Sequence, residues 1–169
     1  MGLQKKVGAN LAPAIAGMPG SVIDGHYSAE VHLAADQVTI GTFVFADGTD
    51  NEKVTNKGTA TKFVRGIAVY VRNYVSAKLD ATMTVPKGSH VTVATQGNFW
   101  VIATNASPKI GQYVYAKQAD GTVVTDNSNT VSNADKVLTN FRVVKVLGTA
   151  ENSLVLISNQ GAAVTQVGA

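Results

Sequence analysis

The chain has 169 residues, a length that suits one domain, or one domain with an arm. It contains no cysteine, which excludes disulfide bonds, thiol catalysis and thiolate metal sites. No apolar run approaches the roughly 18 residues of a membrane-spanning helix, and the net charge of +3 is too small to argue for nucleic acid. The 25 valines and 17 threonines favour strands, because branching at Cβ suits a pleated sheet.

Charged side chains are segregated along the chain. Residues 8–52 carry six acids and no Lys or Arg, whereas residues 53–109 carry eight bases and one acid. The bases are spread through strand-like sequence without an arginine cluster, so we predict no nucleic-acid partner. Two interpretations of the segregation remain open: the two blocks neutralise each other within one fold, or they meet across copies in an oligomer.

The first 21 residues are predicted to form an extended arm. Gly, Ala and Pro dominate this segment, and Pro13 and Pro19 limit helix formation. Its apolar side chains are too numerous for a freely solvated tail, so we expect the arm to bury them against its own body or against a neighbouring subunit. The arm residues predicted to form this interface are Leu3, Gln4, Val7, Leu11, Pro13 and Ile15.

Short strands separated by turn signals fill residues 22–160, which we predict to be a single β-domain, and residues 161–169 form a C-terminal tail. The dipeptide Gln96-Gly97 predicts a hairpin between the two strands that flank it. Eight or more strands without a convincing helix predict an all-β fold, a small barrel or sandwich of about 8–10 short strands. In chain order, the predicted strands cover residues 26–33, 38–46, 63–75, 82–86, 90–95, 98–104, 112–118, 121–125, 140–148 and 153–159.

One strand motif occurs twice. The sequence IGTFVFA at 40–46 returns as IGQYVYA at 110–116, an offset of 70 residues. One interpretation is that two related β-units close one barrel, each covering the unpaired edges of the other; the alternative is chance similarity among valine-rich strands. The glycine of each motif would serve a bulge or a close approach of the backbone.

Residues that could carry catalysis or bind a metal are sparse. Asp24, His26, Glu30 and His32 share one face of the first predicted strand, but the two histidines lie about 20 Å apart along it, whereas metal ligands lie about 2 Å from their ion. We therefore interpret this group as a solvated polar face, and we predict no metal site, no cofactor and no enzymatic activity. A small β-fold hydrolase with a carboxylate pair in a cleft is the enzymatic alternative.

Side chains suited to a protein interface occur on one predicted strand. Tyr70, Arg72 and Tyr74 share a face of the strand at 63–75, and Tyr and Arg are enriched at binding hot spots. We predict that these three residues form an interface with another copy or another protein. The alternative is that the tyrosines cover a layer of the fold while Arg72 extends its charged end into water.

Several segments, taken together, identify a family. The specific ones are the opening MGLQKKVGANLAPAIAG and the stretch TVPKGSHVTVATQGNFWV, and further matches are VTIGTFVFAD and KIGQYVYAKQADGTV. In this order, over nearly the whole chain, the sequence resembles structural cement, or capsid decoration, proteins of tailed bacteriophages. Residues 24–36 depart from the family, in which a stretch rich in Gly and Ala often occupies this region.

The resemblance implies a function and a location. The protein would be non-enzymatic, would lie on the outer surface of the virion capsid, and would bridge major capsid protein subunits and so stabilise the capsid. It would also contact copies of itself, with a homotrimer favoured and a dimer as the alternative. A virion or cell-surface binding module, for example one that binds carbohydrate, is the alternative function.

Overall fold

The computed structural model describes residues 14–20, 27–58, 63–70, 83–131 and 134–160. Strands and no helices are found within these ranges, which confirms the predicted all-β class, and none of the described segments is a helix that could span a membrane. The strands are β1 (Ser28–Ala34), β2 (Val38–Thr39), β3 (Phe43–Asp47), β4 (Asp50–Thr55), β5 (Val64–Ala68), β6 (Thr84–Val85), β7 (His90–Gln96), β8 (Asn98–Ala103), β9 (Tyr113–Lys117), β10 (Val123–Asp126), β11 (Lys136–Leu147) and β12 (Ser153–Ser158).

The strands form two closed barrels of five strands each. The N-terminal barrel has the strand order β1-β4-β3-β5-β7, and the C-terminal barrel has the order β10-β8-β12-β11-β9. The short strands β2 and β6 pair with each other in a separate two-stranded sheet. Closure into barrels leaves fewer unpaired sheet edges than an open sheet would have.

The two barrels have the same topology. In each barrel the first strand is antiparallel to the last and parallel to the third: β1 pairs with β7 and β4, and β8 pairs with β12 and β10. In each barrel the second strand, β3 or β9, lies antiparallel between the third and the fourth. The repeated motif supplies β3 and β9, so the two β-units are related. The prediction that both units close one barrel together is wrong, because each unit closes a barrel of its own.

The turn before the second strand is built alike in both barrels. The N–H of Gly41 donates to the carbonyl oxygen of Ala68, and that of Gly111 donates to Val143, each at 2.8 Å. Gly41 has φ +81° and Gly111 has φ +87°, a region that residues with a Cβ avoid. We call residues 40–41 and 110–111 the Ile-Gly turns. They explain why the repeated motif contains a glycine.

The predicted hairpin at Gln96-Gly97 is wrong. The preceding strand β7 pairs with β1 and β5, whereas the following strand β8 pairs with β12 and β10, so the chain passes at Gly97 from one barrel into the other. Side-chain burial is the physical reason, because Val93 packs in the core of the N-terminal barrel and Phe99 in that of the C-terminal barrel. Asn159 holds the crossing by accepting from the N–H of Gly97 at 2.8 Å and donating to the carbonyl of Thr95 at 2.9 Å.

One apolar cluster joins the barrels. Along β3, Val44 points into the N-terminal barrel, while Phe43 and Phe45 join the larger cluster that fills the C-terminal barrel. Phe43 and Phe99 each approach Phe141 edge-on, with ring centroids 5.8 and 6.5 Å apart. The two barrels therefore share a core.

The described part of the predicted arm is packed onto both barrels. The N–H of Gly17 donates to the carbonyl of Trp100 at 2.7 Å in the C-terminal barrel, and the carbonyl of Gly17 accepts from the N–H of Tyr70 at 2.9 Å beside the N-terminal barrel. Pro19 forms an antiparallel bridge with Phe99. Residues 14–20 therefore help to join the body, whereas residues 1–13 of the predicted arm and the predicted tail at 161–169 lie outside the described residues.

We predict that Gly121→Ala destabilises the protein by about 3 kcal/mol. Gly121 has φ +70°, and a Cβ there would lie 2.0 Å from the carbonyl oxygen of Phe43 at the contact between the barrels. The substitution adds a left-handed backbone penalty of about 1–2 kcal/mol to a steric cost of about 1–3 kcal/mol. Urea denaturation measures the loss.

Gly88→Ala is the matched control for that substitution. Gly88 has a similar φ of +77°, but a Cβ there would meet nothing within 4 Å. We expect it to lose only the backbone term of about 1–2 kcal/mol. Equal losses in the two variants would contradict a close contact at Gly121.

Candidate functional site

The candidate site is an apolar groove between the barrels. It has a volume of about 850 Å³ and runs between the start of β5 and the start of β11. Its size lies within the range of protein ligand sites, but its exposed apolar rim suits contact with another protein. The lining residues are Phe43, Phe63, Val64, Arg65, Gly66, Thr95, Val137, Leu138, Thr139, Asn140 and Phe141.

Phe63 dominates the rim of the groove. Its side chain is 80% exposed, the highest value among the large apolar side chains that the structure shows as exposed. Val64, which follows it, and Val137 across the groove are partly buried against the larger core cluster. An exposed phenyl ring beside a floor of packed apolar side chains is the arrangement that a partner's apolar side chain can cover.

Local backbone structure keeps the groove open on both sides. On β5, a Cβ at Gly66 would lie 2.1 Å from the carbonyl oxygen of Ala94, so only glycine lets β5 approach β7 this closely. On β11, the pairing with β9 shifts register between Leu138 and Arg142, which takes the intervening residues out of the regular ladder. The groove thus lies where both walls depart from regular pairing.

Arg65 supplies a polar group to the groove wall. Its Nε is buried and has no hydrogen-bond partner among the described residues, while its Nη2 makes a long contact of 3.5 Å with the carbonyl oxygen of Asn51. A buried donor without an acceptor is costly. The groove therefore combines an apolar floor with the charged end of Arg65, from whose exposed Nη2 an incoming carbonyl or carboxylate oxygen can accept.

The structure describes only part of the group Asp24, His26, Glu30 and His32. Asp24 and His26 lie outside the described residues. Glu30 and His32 do share a face, with His32 Nε2 3.2 Å from Glu30 Oε2, but His32 is only 8% exposed, so the solvated polar face is wrong at this position. Within the described ranges, no three His, Asp or Glu side chains are grouped so as to hold a metal ion.

Two of the predicted interface residues, Ile15 and Tyr70, lie in the described part of the chain, and they differ in exposure. Ile15 is 40% exposed, so its side chain is partly available to a partner. Tyr70 is half-buried against the core of the N-terminal barrel, as the alternative interpretation of the tyrosines expected for this residue. The remaining members lie outside the described residues: Leu3, Gln4, Val7, Leu11, Pro13, Arg72 and Tyr74.

Sequence reasoning missed Phe63 as a candidate site residue. Its position directly after the polar segment 55–62 was the available signal.

Two ion pairs join the acidic and basic blocks within this chain. Lys53 lies 3.0 Å from Asp50, and Lys57 lies 3.7 Å from Asp36. A hydrogen bond from the backbone of Glu52, followed by the nearby Lys53, lowers the pKa of Asp50. These pairs are solvent-exposed and contribute little to stability, but they favour neutralisation within one fold for the residues involved.

Comparison with known proteins identifies the family. The family model described as structural cement protein (E217 gp24/Pam3 gp6) matches residues 3–159. Because the match spans nearly the whole chain, the protein belongs to this phage cement family, and its role is capsid decoration in the virion capsid. No curated protein matches the sequence significantly.

One solved structure shows a similar fold, and a second aligns more weakly. A chain of the capsid of Myoviridae phage XM1 aligns with a TM-score of 0.66 at 15% identity, covering 94% of this chain and 98% of that one. The head fiber gp8.5 N base of bacteriophage phi29 aligns with a TM-score of 0.48 at 16% identity, covering 82% of this chain and 99% of that one. The first likeness supports the double-barrel architecture.

Proposed function

We propose that this cement protein binds the outer surface of the phage head, where it bridges neighbouring major capsid protein subunits and stabilises the shell. The observation that carries the proposal is the apolar groove with Phe63 exposed at its rim. Exposed apolar surface of this kind marks protein contact sites. The family assignment supplies the partner, because a cement protein must contact the shell that it decorates.

The groove suits a capsid loop with two features. An apolar side chain of the loop packs between Phe63 and the floor formed by Val64 and Val137. A carbonyl or carboxylate oxygen of the loop accepts from the exposed Nη2 of Arg65, whose contact with Asn51 is long at 3.5 Å. A carbohydrate-binding module would need free polar groups facing its ligand, whereas the hydroxyls of Thr95 and Thr139 already donate to the carbonyls of Ser28 and Val114; the exposed Phe63 therefore favours the capsid protein over the alternative function.

The remaining interface proposals concern residues on either side of the groove. We propose that residues 1–13, with Ile15, form an interface with another copy or with the capsid, and that Tyr70, Arg72 and Tyr74 do the same. We propose a homotrimer, with a dimer as the alternative. The action is non-enzymatic and needs no cofactor, nucleic acid or membrane: a protein that binds only the assembled shell stabilises it by mass action.

We predict that Phe63→Ser weakens head binding at least about tenfold. Burying a phenyl side chain contributes about 1.5–3 kcal/mol, and each 1.4 kcal/mol changes an affinity about tenfold. The protein itself should keep its melting temperature, because the side chain is 80% exposed. Co-sedimentation with heads that lack the cement protein measures the affinity.

Val131→Ser is the matched control for Phe63→Ser. Val131 is 46% exposed and does not line the groove. Its substitution should leave head binding unchanged. If Phe63→Ser binds as well as the unmodified chain, or if both variants lose binding equally, the groove is not the capsid-binding site.

We predict that the capsids of heads stripped of this protein are disrupted at a lower temperature than those of decorated heads. Each bound copy stabilises the assembled state by about 2.7 kcal/mol at a hundredfold excess over its Kd. Many copies across subunit contacts multiply this effect. Differential scanning calorimetry of stripped, decorated and re-decorated heads measures it, and re-decoration should restore the original transition. Identical transitions for all three samples would contradict a cement role.

A further inference from the structure

The two Ile-Gly turns are built alike but differ in what covers them. Ile40 in the N-terminal barrel is 5% exposed, whereas its counterpart Ile110 in the C-terminal barrel is 64% exposed. Both are followed by a glycine with the same backbone hydrogen bond and nearly the same φ. The difference therefore arises from neighbouring chain segments and not from the turns themselves.

Part of the cover over the first turn comes from residues 14–20. A Cβ added to Gly41 would lie 2.5 Å from the Cβ of Ala16 and 2.8 Å from the N of Gly17, so the arm backbone lies directly on this glycine. Gly17 in turn lies against Ile40, since a Cβ there would be 2.5 Å from Ile40 Cγ2. The contact requires small residues on both sides.

Another part of the cover comes from the chain near β6. The N–H of Ile40 donates to the carbonyl of Met83 at 2.8 Å, next to the β2–β6 pair. The C-terminal barrel has no counterpart of this pair among its described strands. The glycine of its Ile-Gly turn is also uncovered, because a Cβ on Gly111 would meet no atom within 4 Å.

We propose that the Ile-Gly turn at 110–111 is the docking site for residues 1–13 of a second copy of this chain. The first turn shows which kind of segment such a site accepts: the small residues Ala16 and Gly17, which follow the half-exposed Ile15. The same pattern occurs earlier in the arm as Val7-Gly8-Ala9. A segment of this type can place its two small residues on Gly111 and Ile110, as Ala16 and Gly17 lie on Gly41 and Ile40.

The length of the arm allows it to leave its own barrel. Residues 1–13 extend before Ala14, which is buried at 8% exposure on the body, and 13 extended residues span up to about 45 Å. Docking of one copy's arm on the next copy's turn is a head-to-tail contact, which closes into a ring if the rotation between copies permits. The inference rests on the self-association proposed above and adds the site and the segment that mediate it.

Cysteine cross-linking tests the contact, because the natural chain contains no cysteine. One chain carries Ile110→Cys and a second carries a single cysteine in the arm, at Val7, Ala9 or Leu11 in separate preparations. The two are mixed under mild oxidation, free in solution and bound to heads. We expect a disulfide-linked heterodimer for at least one arm position, because a docked arm brings Cα atoms within the roughly 4.4–6.8 Å that a disulfide requires.

The control pairs the same arm cysteines with Val131→Cys, an exposed site on the same barrel. Cross-linking equal to that of Ile110→Cys would show random collision and overturn the proposal, as would no cross-linking at any arm position in either state. A chain that carries both cysteines distinguishes the arm of a second copy from the chain's own arm as the segment docked on the turn. Covalent trimers or dimers support a second copy, whereas a closed monomer shows docking on the chain's own turn and overturns it. A link between Ile110→Cys and a cysteine introduced in the capsid protein would also overturn it.

Ile110→Ser gives an independent readout. It should shift the mass measured by light scattering from oligomer towards monomer, with an unchanged far-UV spectrum, whereas Val131→Ser should not. Unchanged mass for Ile110→Ser overturns the proposal. Head binding is measured separately in the same variants, so failure of the capsid-binding proposal, read from Phe63→Ser, is distinguishable from failure of this one.

Discussion

The architecture depends on the close contact between the backbones of the two barrels at Phe43 and Gly121. The N–H of Phe43 donates to the carbonyl of Gly121 at 2.8 Å, while a Cβ on Gly121 would clash with the carbonyl of Phe43. This contact places β3 of one barrel against the β9–β10 turn of the other. Because Phe43 and Phe45 then join the cluster that fills the C-terminal barrel, side chains of the N-terminal barrel complete that core.

Joining two related barrels in this way makes their equivalent surfaces unequal. The first Ile-Gly turn faces residues 14–20 and is covered, whereas the second faces outward with Ile110 exposed. The groove beside Phe63 arises at the same junction, between the fourth strands β5 and β11 of the two barrels. A protein whose role is to decorate a shell thus obtains its exposed apolar surfaces from the asymmetry of a duplicated unit.

The sequence predicts local features of this fold better than its long-range ones. The repeated motif predicted β3 and β9, because this signal depends on neighbouring residues in one strand, whereas the polar face predicted for β1 is wrong at His32, which is buried. The hairpin predicted at Gln96-Gly97 was wrong, because a turn dipeptide does not reveal whether the strands that it connects share a barrel. Phe63 was not predicted as a binding residue: its position after a polar segment suggests exposure, but the groove beside it is formed with β11, a tertiary contact that the local sequence does not show.

In both barrels a side-chain amide accepts from the backbone N–H two residues before the glycine of the Ile-Gly turn, although the amides come from different positions. The backbone N–H of Thr39 donates to the amide oxygen of Asn56 at 2.7 Å, and the equivalent N–H of Lys109 donates to that of Gln112 at 2.9 Å.

The amide and its hydroxyl partner have exchanged strands between the barrels. In the N-terminal barrel the amide of Asn56 follows β4 and bonds Thr42, whereas in the C-terminal barrel the amide of Gln112 precedes β9 and bonds Thr125. What both barrels retain is an acceptor for a backbone donor that would be costly to leave unpaired. Hydrogen-bond satisfaction therefore constrains these interior positions more than residue identity does, while the exposed turn at Ile110 is free to be specified by the partner that covers it.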